Sequence, residues 1–354
     1  MNKRLISLIL AIILSFALVA VTASCNDTQQ KEDESNAESS TREDETLPPP
    51  LELADDDDLS YILNSDEASY SVFGLFHETG AIRIEIPAAH DGLPVTGIVA
   101  SAFSSSQYLE SVFMPDTITH IGSYAFDGCP VLEDIQLSDN LLFVGDSAFE
   151  GCDELALTEY DNALYLGSDD APYTVLIRAV DTEIESCTVH ADTKFIYDYA
   201  FLECTEIDEI ILPDGLISVG IYSFVDCYDL FPNNAHNNGY YLGSASNPYL
   251  VLVDTSGERD LTEFEIESST KIIAPGAFEG CSVLSSVVIP DSVSVIGQYA
   301  FEGCSSLSSV AIGGNTWSII DGEKAYVPVT EDSASEDIAK DLSEIYYYCI
   351  WYKQ

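Results

Sequence analysis

The pentapeptide AFEGC occurs three times in this 354-residue chain, and near copies of it occur four more times. When the copies are aligned on phenylalanine, neighbours within a group are 23 residues apart. A fixed period of about 20–29 residues is typical of solenoids, in which each repeat buries its apolar face against its neighbours. The period therefore constrains the fold more than any other feature. The aligned phenylalanines are Phe103, Phe126 and Phe149, then Phe201 and Phe224, then Phe278 and Phe301.

The best-preserved copy, residues 284–313, predicts the shape of one repeat, which we call a rung. Val287 and Ile289 are two residues apart, so they point to one face of a short strand. The PD dipeptide that follows predicts a turn, after which the chain returns and QYAFEGC forms one helical turn. The predicted fold class is a leucine-rich repeat solenoid, β-rich with short helical turns, rungs of about 23 residues, two hairpin insertions and capped ends.

Two positions of the pentapeptide are predicted to be buried. Phenylalanine fills the aromatic pocket of each rung, where burial contributes about 1.5–3 kcal/mol, and cysteine packs between rungs. The predicted repeat core is Phe126, Phe149, Phe201, Phe224, Phe278 and Phe301, and the predicted cysteine ladder is Cys129, Cys152, Cys204, Cys227, Cys281 and Cys304. The glycine after the phenylalanine is expected to have positive φ where the chain leaves the helical turn.

The cysteines of the ladder have two possible states. Disulfides are the first expectation in an extracytoplasmic chain, and rungs about 4.8 Å apart would permit them. However, equivalent side chains on parallel rungs point the same way, which suits the disulfide dihedral poorly. We therefore predict buried free thiols.

Two gaps interrupt the period. Phe149 and Phe201 are 52 residues apart, and Phe224 and Phe278 are 54 apart, which leaves 29 and 31 residues beyond one period. The extra segments contain similar stretches, each with an aromatic-rich run, a turn and an alternating apolar run. This pattern predicts hairpins.

The two hairpins, at 162–180 and 238–256, are the candidate binding elements. Insertions into solenoid repeats often lie on the binding face, so we expect the hairpins to bind a ligand and to be dispensable for folding. The alternative is that they brace the solenoid. The candidate ligand-binding residues are Tyr165, Tyr173, Tyr241 and Tyr249, which would be exposed in a binding role and packed on the rungs in a core role.

The repeats resemble the BspA-like leucine-rich repeat family of bacterial surface proteins. The shared motif I-P-D-S-V-x-x-I-G-x-x-A-F-x-G-C-x-x-L-x-x-V is nearly intact at 289–310 and weaker at 114–135 and 211–230. Residues 70–98 resemble the capping first repeat of that family, and the resemblance covers about 59–313. It implies a secreted or surface-anchored protein with an adhesive or recognition role, and no catalytic machinery.

The N-terminus predicts export. MNKR and the apolar run after it read as a signal peptide, residues 1–24. Residues 21–25, VTASC, resemble a bacterial lipobox and predict a lipid on Cys25, although Thr22 stands where leucine is usual. The alternatives are ordinary cleavage near Ala23, which gives a secreted protein, and an uncleaved anchor.

Segments flank the solenoid on both sides. Residues 25–58 comprise the lipidated cysteine and a disordered acidic tether, whose four-aspartate run lacks the spaced ligands and turn glycine of a calcium loop. The solenoid with its N-terminal cap is assigned to 59–313. Residues 314–354 break the period and are predicted to form a C-terminal cap, with Ser335 as a helix N-cap and an apolar face of Ile338, Leu342 and Ile345.

Charge and motifs restrict the function. The chain has 12 basic and 61 acidic residues and a formal net charge of −49, which disfavours nucleic acid and leaves the lipid anchor as the only membrane contact. The five histidines do not have zinc-site spacing, and no cofactor, metal or catalytic residue is predicted.

The expected function is that of a non-catalytic recognition or adhesion protein, lipid-anchored at the bacterial surface. Its ligand would be host matrix, another cell or a protein. The alternatives are a lipoprotein that captures glycans with its hairpin tyrosines, and a structural protein of the envelope.

Overall fold

The computed structural model describes residues 58–75, 83–255, 260–312, 317–321, 324–329, 333–345 and 350–353. The predicted signal peptide, Cys25 and the tether up to residue 57 lie outside the described residues.

Each rung has two short strands, a first strand and a return strand, and equivalent strands of neighbouring rungs pair in parallel. Ser286 pairs with Ser309 and Ile272 with Val295, one period away in each case. The predicted solenoid with rungs of about 23 residues is therefore confirmed. The first strands form three sheets: Arg83–Glu85, Ser111–Phe113 and Asp134–Gln136; Ser186–Thr188 and Glu209–Ile211; Glu263–Glu265, Ser286–Ile289 and Ser309–Ile312. The return strands are Leu93–Ile98, His120–Ile121 and Phe143–Val144; Phe195–Ile196 and Ser218–Val219; Ile272–Ile273 and Val295–Ile296.

The rungs fall into three blocks, and each block begins with an antiparallel hairpin. In each hairpin the second strand pairs in parallel with the next return strand of its block. The hairpins are Leu59–Leu63 with Tyr70–Leu75, Ala163–Leu166 with Val175–Ala179, and Gly239–Leu242 with Val251–Asp254. Strands Thr158–Tyr160 and Ala235–His236 extend the second and third hairpins, and Ala89–His90 pairs with Leu93–Ile98.

The two predicted hairpins are confirmed as hairpins, but they are part of the main sheets. Val175, Leu176, Val251 and Leu252 on their second strands are completely buried. Removing these strands would expose the core of the following rung, so the expectation that the hairpins are dispensable for folding is wrong. The bracing alternative describes their position in the structure.

The phenylalanines of the pentapeptide are buried and stack along each block. The ring centroids of Phe126 are 5.3 Å from Phe103 and 5.8 Å from Phe149, with the planes nearly parallel. The pairs of the second and third blocks stack in the same way, at 5.8 and 4.8 Å. All six predicted core phenylalanines are 6% exposed or less.

The helical turn of each rung contains a left-handed residue two positions after the phenylalanine. Where that residue is glycine, φ lies between 68° and 75°, which confirms the expected conformation. A glycine adopts this region without the steric cost that a Cβ imposes. These glycines are Gly128, Gly151, Gly280 and Gly303.

A C-terminal cap covers the last rung. Strand Ile350–Lys353 pairs antiparallel with the last return strand and with Trp317–Asp321, which in turn pairs with Lys324–Val329. Trp317 and Trp351 are both 1% exposed. The cap therefore replaces the neighbour that the last rung lacks.

The helix of the cap differs from its prediction at one residue. It spans Ser335–Lys340 and continues as a π-helical turn, Asp341–Ile345. Another short helix, Leu230–Asn233, follows the last rung of the second block. Ala334, not Ser335, holds the N-cap position, so the predicted cap is wrong. The Ser335 hydroxyl instead accepts a hydrogen bond from the Val310 N–H at 2.8 Å, because the edge strand leaves that group unpaired. Ile338 and Leu342 are buried as expected.

Candidate binding surfaces and the contact between blocks

The hairpin tyrosines form the same ring cluster in two blocks. Tyr165 and Tyr241 are 0% and 2% exposed, so the core alternative holds for these two. Tyr173 and Tyr249 are half-buried and contact them edge to face, at 5.6 and 5.5 Å between ring centroids. The first pair of rings is therefore core, and only the second pair reaches the surface.

A histidine covers one face of each surface tyrosine. His190 stacks on Tyr173 at 3.9 Å, and His236 lies 4.5 Å from Tyr249. The N-terminal hairpin repeats the arrangement with His90 on another tyrosine ring at 3.9 Å. Sequence reasoning about metal spacing missed this role of histidine, although His190 and His236 lie 17 and 13 residues from their hairpin tyrosines. One face of each ring is thus already occupied.

The cysteine ladder is buried, and its thiols bind backbone carbonyl groups. The Sγ of Cys152 donates to the Phe126 carbonyl at 3.0 Å, and the Sγ of Cys304 donates to the Phe278 carbonyl at 3.2 Å. Cys129 and Cys227 make the equivalent bond with the preceding rung. The position therefore requires a small side chain that is both apolar and a weak donor, which cysteine supplies. In the part of the chain that the structure describes, the free cysteines are Cys129, Cys152, Cys187, Cys204, Cys227, Cys281 and Cys304.

We expect thiol titration of the unfolded protein, without reductant, to find these cysteines free, and titration of the folded protein to be slow. Burial raises the pKa of Cys227 and of Cys304 to about 12, so little reactive thiolate is present at neutral pH. The measurement is reaction with a chromogenic disulfide before and after denaturation. Rung-to-rung disulfides in a peptide map would contradict the prediction.

Residues of all three blocks meet at one contact. The Gln298 amide of the third block donates to Asp146 of the first at 2.5 Å. In the second block, Asp198 accepts a hydrogen bond from the Ser147 N–H at 2.8 Å, and the Tyr197 hydroxyl accepts one from the Phe149 N–H at 2.8 Å. Beside them lies a small cavity of about 20 Å³, which has room for about one water molecule.

The side chains of Asp198 and Tyr197 accept the hydrogen bonds that backbone carbonyl groups accept between other rungs. One rung earlier, the N–H groups of Tyr124 and Phe126 donate to carbonyl groups of the next rung, at 2.9 and 2.8 Å. The hairpin that follows the third rung has no helical turn, so the equivalent N–H groups bond side chains instead. Residues 146 and 298 both lie three positions before a repeat phenylalanine, but the repeat alignment does not predict that these positions of the first and third blocks meet, so sequence reasoning missed this contact.

The two carboxyl groups at this contact have altered acidity. The pKa of Asp198 is raised to about 7, first by burial and then by the charge of Asp146, while hydrogen bonds from the N–H groups of Ser147 and Ile221 act in the opposite direction. Burial also raises the pKa of Asp146, against the effect of the Gln298 amide. The charge of Asp146 thus favours the protonated form of Asp198.

The helical turns carry the exposed tyrosines. Two positions before the phenylalanine, the residue is tyrosine in four rungs and has φ between 53° and 59° in each. Tyr124, Tyr199 and Tyr222 are 41–49% exposed. The repeated tyrosine is visible in the sequence, but its left-handed conformation and exposure are not. The fourth is Tyr299.

The described residues contain neither a membrane-spanning helix nor a group of metal-ligating side chains. Among the described residues, which exclude the N-terminal apolar run, no helix is long and apolar enough to cross a bilayer. Within the same residues, no three or more histidine, cysteine or acidic side chains are grouped so that they could hold a metal ion.

Three solved structures illustrate what the chain is similar to. A leucine-rich repeat protein of T. pallidum is 21% identical, with 72% of this chain and 91% of that chain covered and a TM-score of 0.34. A leucine-rich cell surface protein from Faecalibacterium prausnitzii is 25% identical, with 74% and 76% covered and a TM-score of 0.33. A leucine-rich repeat protein from Bacteroides ovatus is 22% identical, with 73% and 70% covered and a TM-score of 0.34.

The comparison with protein families gives the clearest assignment. No curated protein matched the chain. The model of the BspA type leucine-rich repeat region matches six copies, over residues 75–169, 180–246 and 256–351. These ranges make up more than half of the chain. They contain the first strands and return strands of the rungs, whereas most of the N-terminal hairpin and the strands Val175–Ala179 and Val251–Asp254 lie outside them. The chain belongs to the BspA-type leucine-rich repeat family.

Proposed function

We propose that this chain is a non-catalytic recognition protein that binds another protein outside the cell. The observation that carries the proposal is a set of exposed apolar side chains at one position of the first strands, which occur in one rung of each block. Phe113, Ile211 and Val288 occupy equivalent positions of the first strands and are 37–42% exposed. Repeated exposed apolar residues on a rigid array are typical of an interaction surface.

The hairpin tyrosines contribute less to the proposed binding than the rung surfaces do. Tyr173 and Tyr249 reach the surface, but His190 and His236 each cover one ring face. A sugar ring could use only the remaining face, so the clusters support glycan stacking weakly. Protein recognition by the rung surfaces therefore agrees better with the exposed residues.

A binding screen tests the proposed function. The full-length protein in lipid nanodiscs is presented to matrix proteins, other extracellular proteins and glycans, with empty nanodiscs as the reference. We expect saturable binding to at least one protein, with a Kd in the micromolar range or tighter. Binding to glycans alone would favour the glycan-capture alternative, and no saturable binding would contradict protein recognition.

We also propose that the protein is tethered at the bacterial surface by lipid on Cys25. The support is the run of small residues before this cysteine and the acidic segment after it, which would separate the solenoid from the membrane. The mature protein is expected to partition into detergent and to begin with a lipidated Cys25. Mass spectrometry that finds the N-terminus at another residue would disprove the anchor.

A further inference from the structure

The helical turns of the second block carry an apolar surface, which we call the turn patch. It consists of Tyr199, Leu202, Tyr222 and Val225, each at least 36% exposed. The two tyrosine ring centroids are 5.6 Å apart. The patch is therefore a continuous surface on two neighbouring rungs.

Backbone hydrogen bonds fix the geometry of the turn patch. The Leu202 N–H donates to the Tyr199 carbonyl, and the Val225 N–H donates to the Tyr222 carbonyl, which closes one helical turn on each rung. The Tyr199 N–H donates to the Ile221 carbonyl at 3.0 Å, so the two turns lie side by side. The backbone that carries the four side chains is thus ordered before any partner arrives, which lowers the entropy cost of binding.

The fold does not require tyrosine at these positions. Tyr199 and Tyr222 have φ of 57° and 53°, a region that is unfavourable for a bulky residue. The third block has glycine at this position in one rung, Gly276 with φ of 72°, and tyrosine in the other, Tyr299 with φ of 58°. Glycine would satisfy the backbone at lower cost, so the tyrosines serve the surface and not the packing.

The other blocks have acidic residues where the patch has Leu202 and Val225. The residue after the repeat phenylalanine is Asp or Glu in both helical turns of the third block and in two of the three turns of the first block. The seven helical turns, from three residues before the phenylalanine to five after it, contain no lysine or arginine. The apolar patch is therefore surrounded by negative charge.

Carboxylates lie within electrostatic range of both tyrosines. Burial raises the pKa of the Tyr199 phenol, and the charges of Asp198 and Glu150 raise it further. Burial and then the charges of Glu279 and Glu302 raise the pKa of the Tyr222 phenol. Glu150 of the first block and Glu279 and Glu302 of the third thus lie close enough to add negative charge near the patch.

We propose that the turn patch binds a basic segment of another protein, in which lysine or arginine residues flank an apolar anchor. This inference rests on the proposed function, protein recognition, and assigns it a surface and a partner chemistry. The anchor would lie between the two tyrosine rings, and the cations would contact the ring faces and the nearby acidic side chains. Nucleic acid, anionic lipid and a second copy of this chain, all negatively charged, would be repelled.

The expected contributions to the binding free energy make the two tyrosines the main contacts. Tyrosine is among the residues that contribute most at protein interfaces, often about 2 kcal/mol or more on truncation. Loss of one such contact lowers affinity more than tenfold, since about 1.4 kcal/mol corresponds to a factor of ten. The nearby acidic charges act mainly on the rate of association and on its dependence on salt.

The test uses a peptide probe and variants that leave the net charge unchanged. The probe is the end-blocked peptide KWKLKWKL, and its controls are EWELEWEL, with reversed charge, and KSKSKSKS, without apolar anchors. Binding to the full-length protein in neutral nanodiscs is measured by calorimetry at about 0.15 M salt, where exposed charges more than about 8 Å apart are largely screened. The double variant is Y199G with Y222G, and the matched control is Y108S, at a tyrosine of the first block that is 68% exposed.

We expect the parent and Y108S to bind KWKLKWKL alike, the double variant to bind it at least tenfold more weakly, and neither control peptide to bind comparably. Glycine suits the positive φ at both positions, so the melting temperature of the double variant should not fall. Equal affinity of the parent and the double variant would overturn the turn patch, because charge alone would then explain binding.

The outcomes for the patch and for the proposed function are separable. If a protein from the binding screen is retained by the double variant as well as by the parent, the patch is wrong and protein recognition stands. If the parent binds neither the probe nor any protein of the screen, the proposed function fails as well.

Discussion

Replacing Phe278 with alanine is expected to lower the free energy of unfolding by about 3–5 kcal/mol, the range for truncation of a large core aromatic residue. Its side chain is 1% exposed. The ring stacks on Phe301 at 4.8 Å and contacts Phe264 edge to face at 5.1 Å. Alanine would leave a cavity between two rungs that the backbone pairing holds at a fixed spacing, so the cavity cannot close.

Chemical denaturation followed by circular dichroism measures this loss. The matched control is Phe73→Ala, because Phe73 is 55% exposed and its truncation should change stability by about 0.5 kcal/mol or less. A loss below about 1 kcal/mol for Phe278→Ala would show that the side chain does not fill the rung as described.

The contact between the three blocks is expected to make the protein more stable at pH 5 than at pH 8. The pKa of Asp198 is raised from its ordinary 3.8 to about 7, so between these values the folded protein holds a proton that the unfolded chain has lost. The corresponding stability is fully present below about pH 4 and is lost as the pH rises through about 7. Its full size is about 4 kcal/mol.

Thermal unfolding at several pH values of the parent, Asp146→Asn and Asp153→Asn tests this dependence. The Asp146→Asn variant removes the carboxylate that repels Asp198 and keeps an oxygen for the Gln298 amide, so it should be about 1 kcal/mol more stable than the parent at pH 8. Asp153 is exposed, and its variant controls for the lower net charge. If the three proteins lose stability equally between pH 5 and pH 8, the interaction between Asp146 and Asp198 is not the cause.

The rungs can be predicted from the sequence because every rung buries the same residue types at the same positions. The 23-residue period, the buried phenylalanines and the glycines of positive φ all follow from local repetition. The role of the hairpins could not be predicted, since an alternating apolar run fits both a surface hairpin and a strand of the main sheet. Only the parallel pairing of Val175 and Val251 with the next return strands decides between them.

Single residues outside the repeat pattern were harder to predict. Serine is a residue type that is common at N-caps, but the Ser335 hydroxyl instead accepts a hydrogen bond from the Val310 N–H of the last rung. Asp198 is one aspartate in a chain with 61 acidic residues, and nothing local marks it as buried. The contacts of such residues are made with segments far away in the sequence, and the repeat period does not predict which segments meet.

The bond between Gln298 and Asp146 also changes how cooperative the array can be. In a simple solenoid each rung depends only on its neighbours, so the ends can open independently. Rung contacts here close loops of 23 residues, whereas this bond joins residues 152 apart. Forming it in an otherwise open chain would cost about 1.7 kcal/mol more in loop entropy. The bond therefore forms only when the intervening rungs are already folded, and it couples the first block to the third.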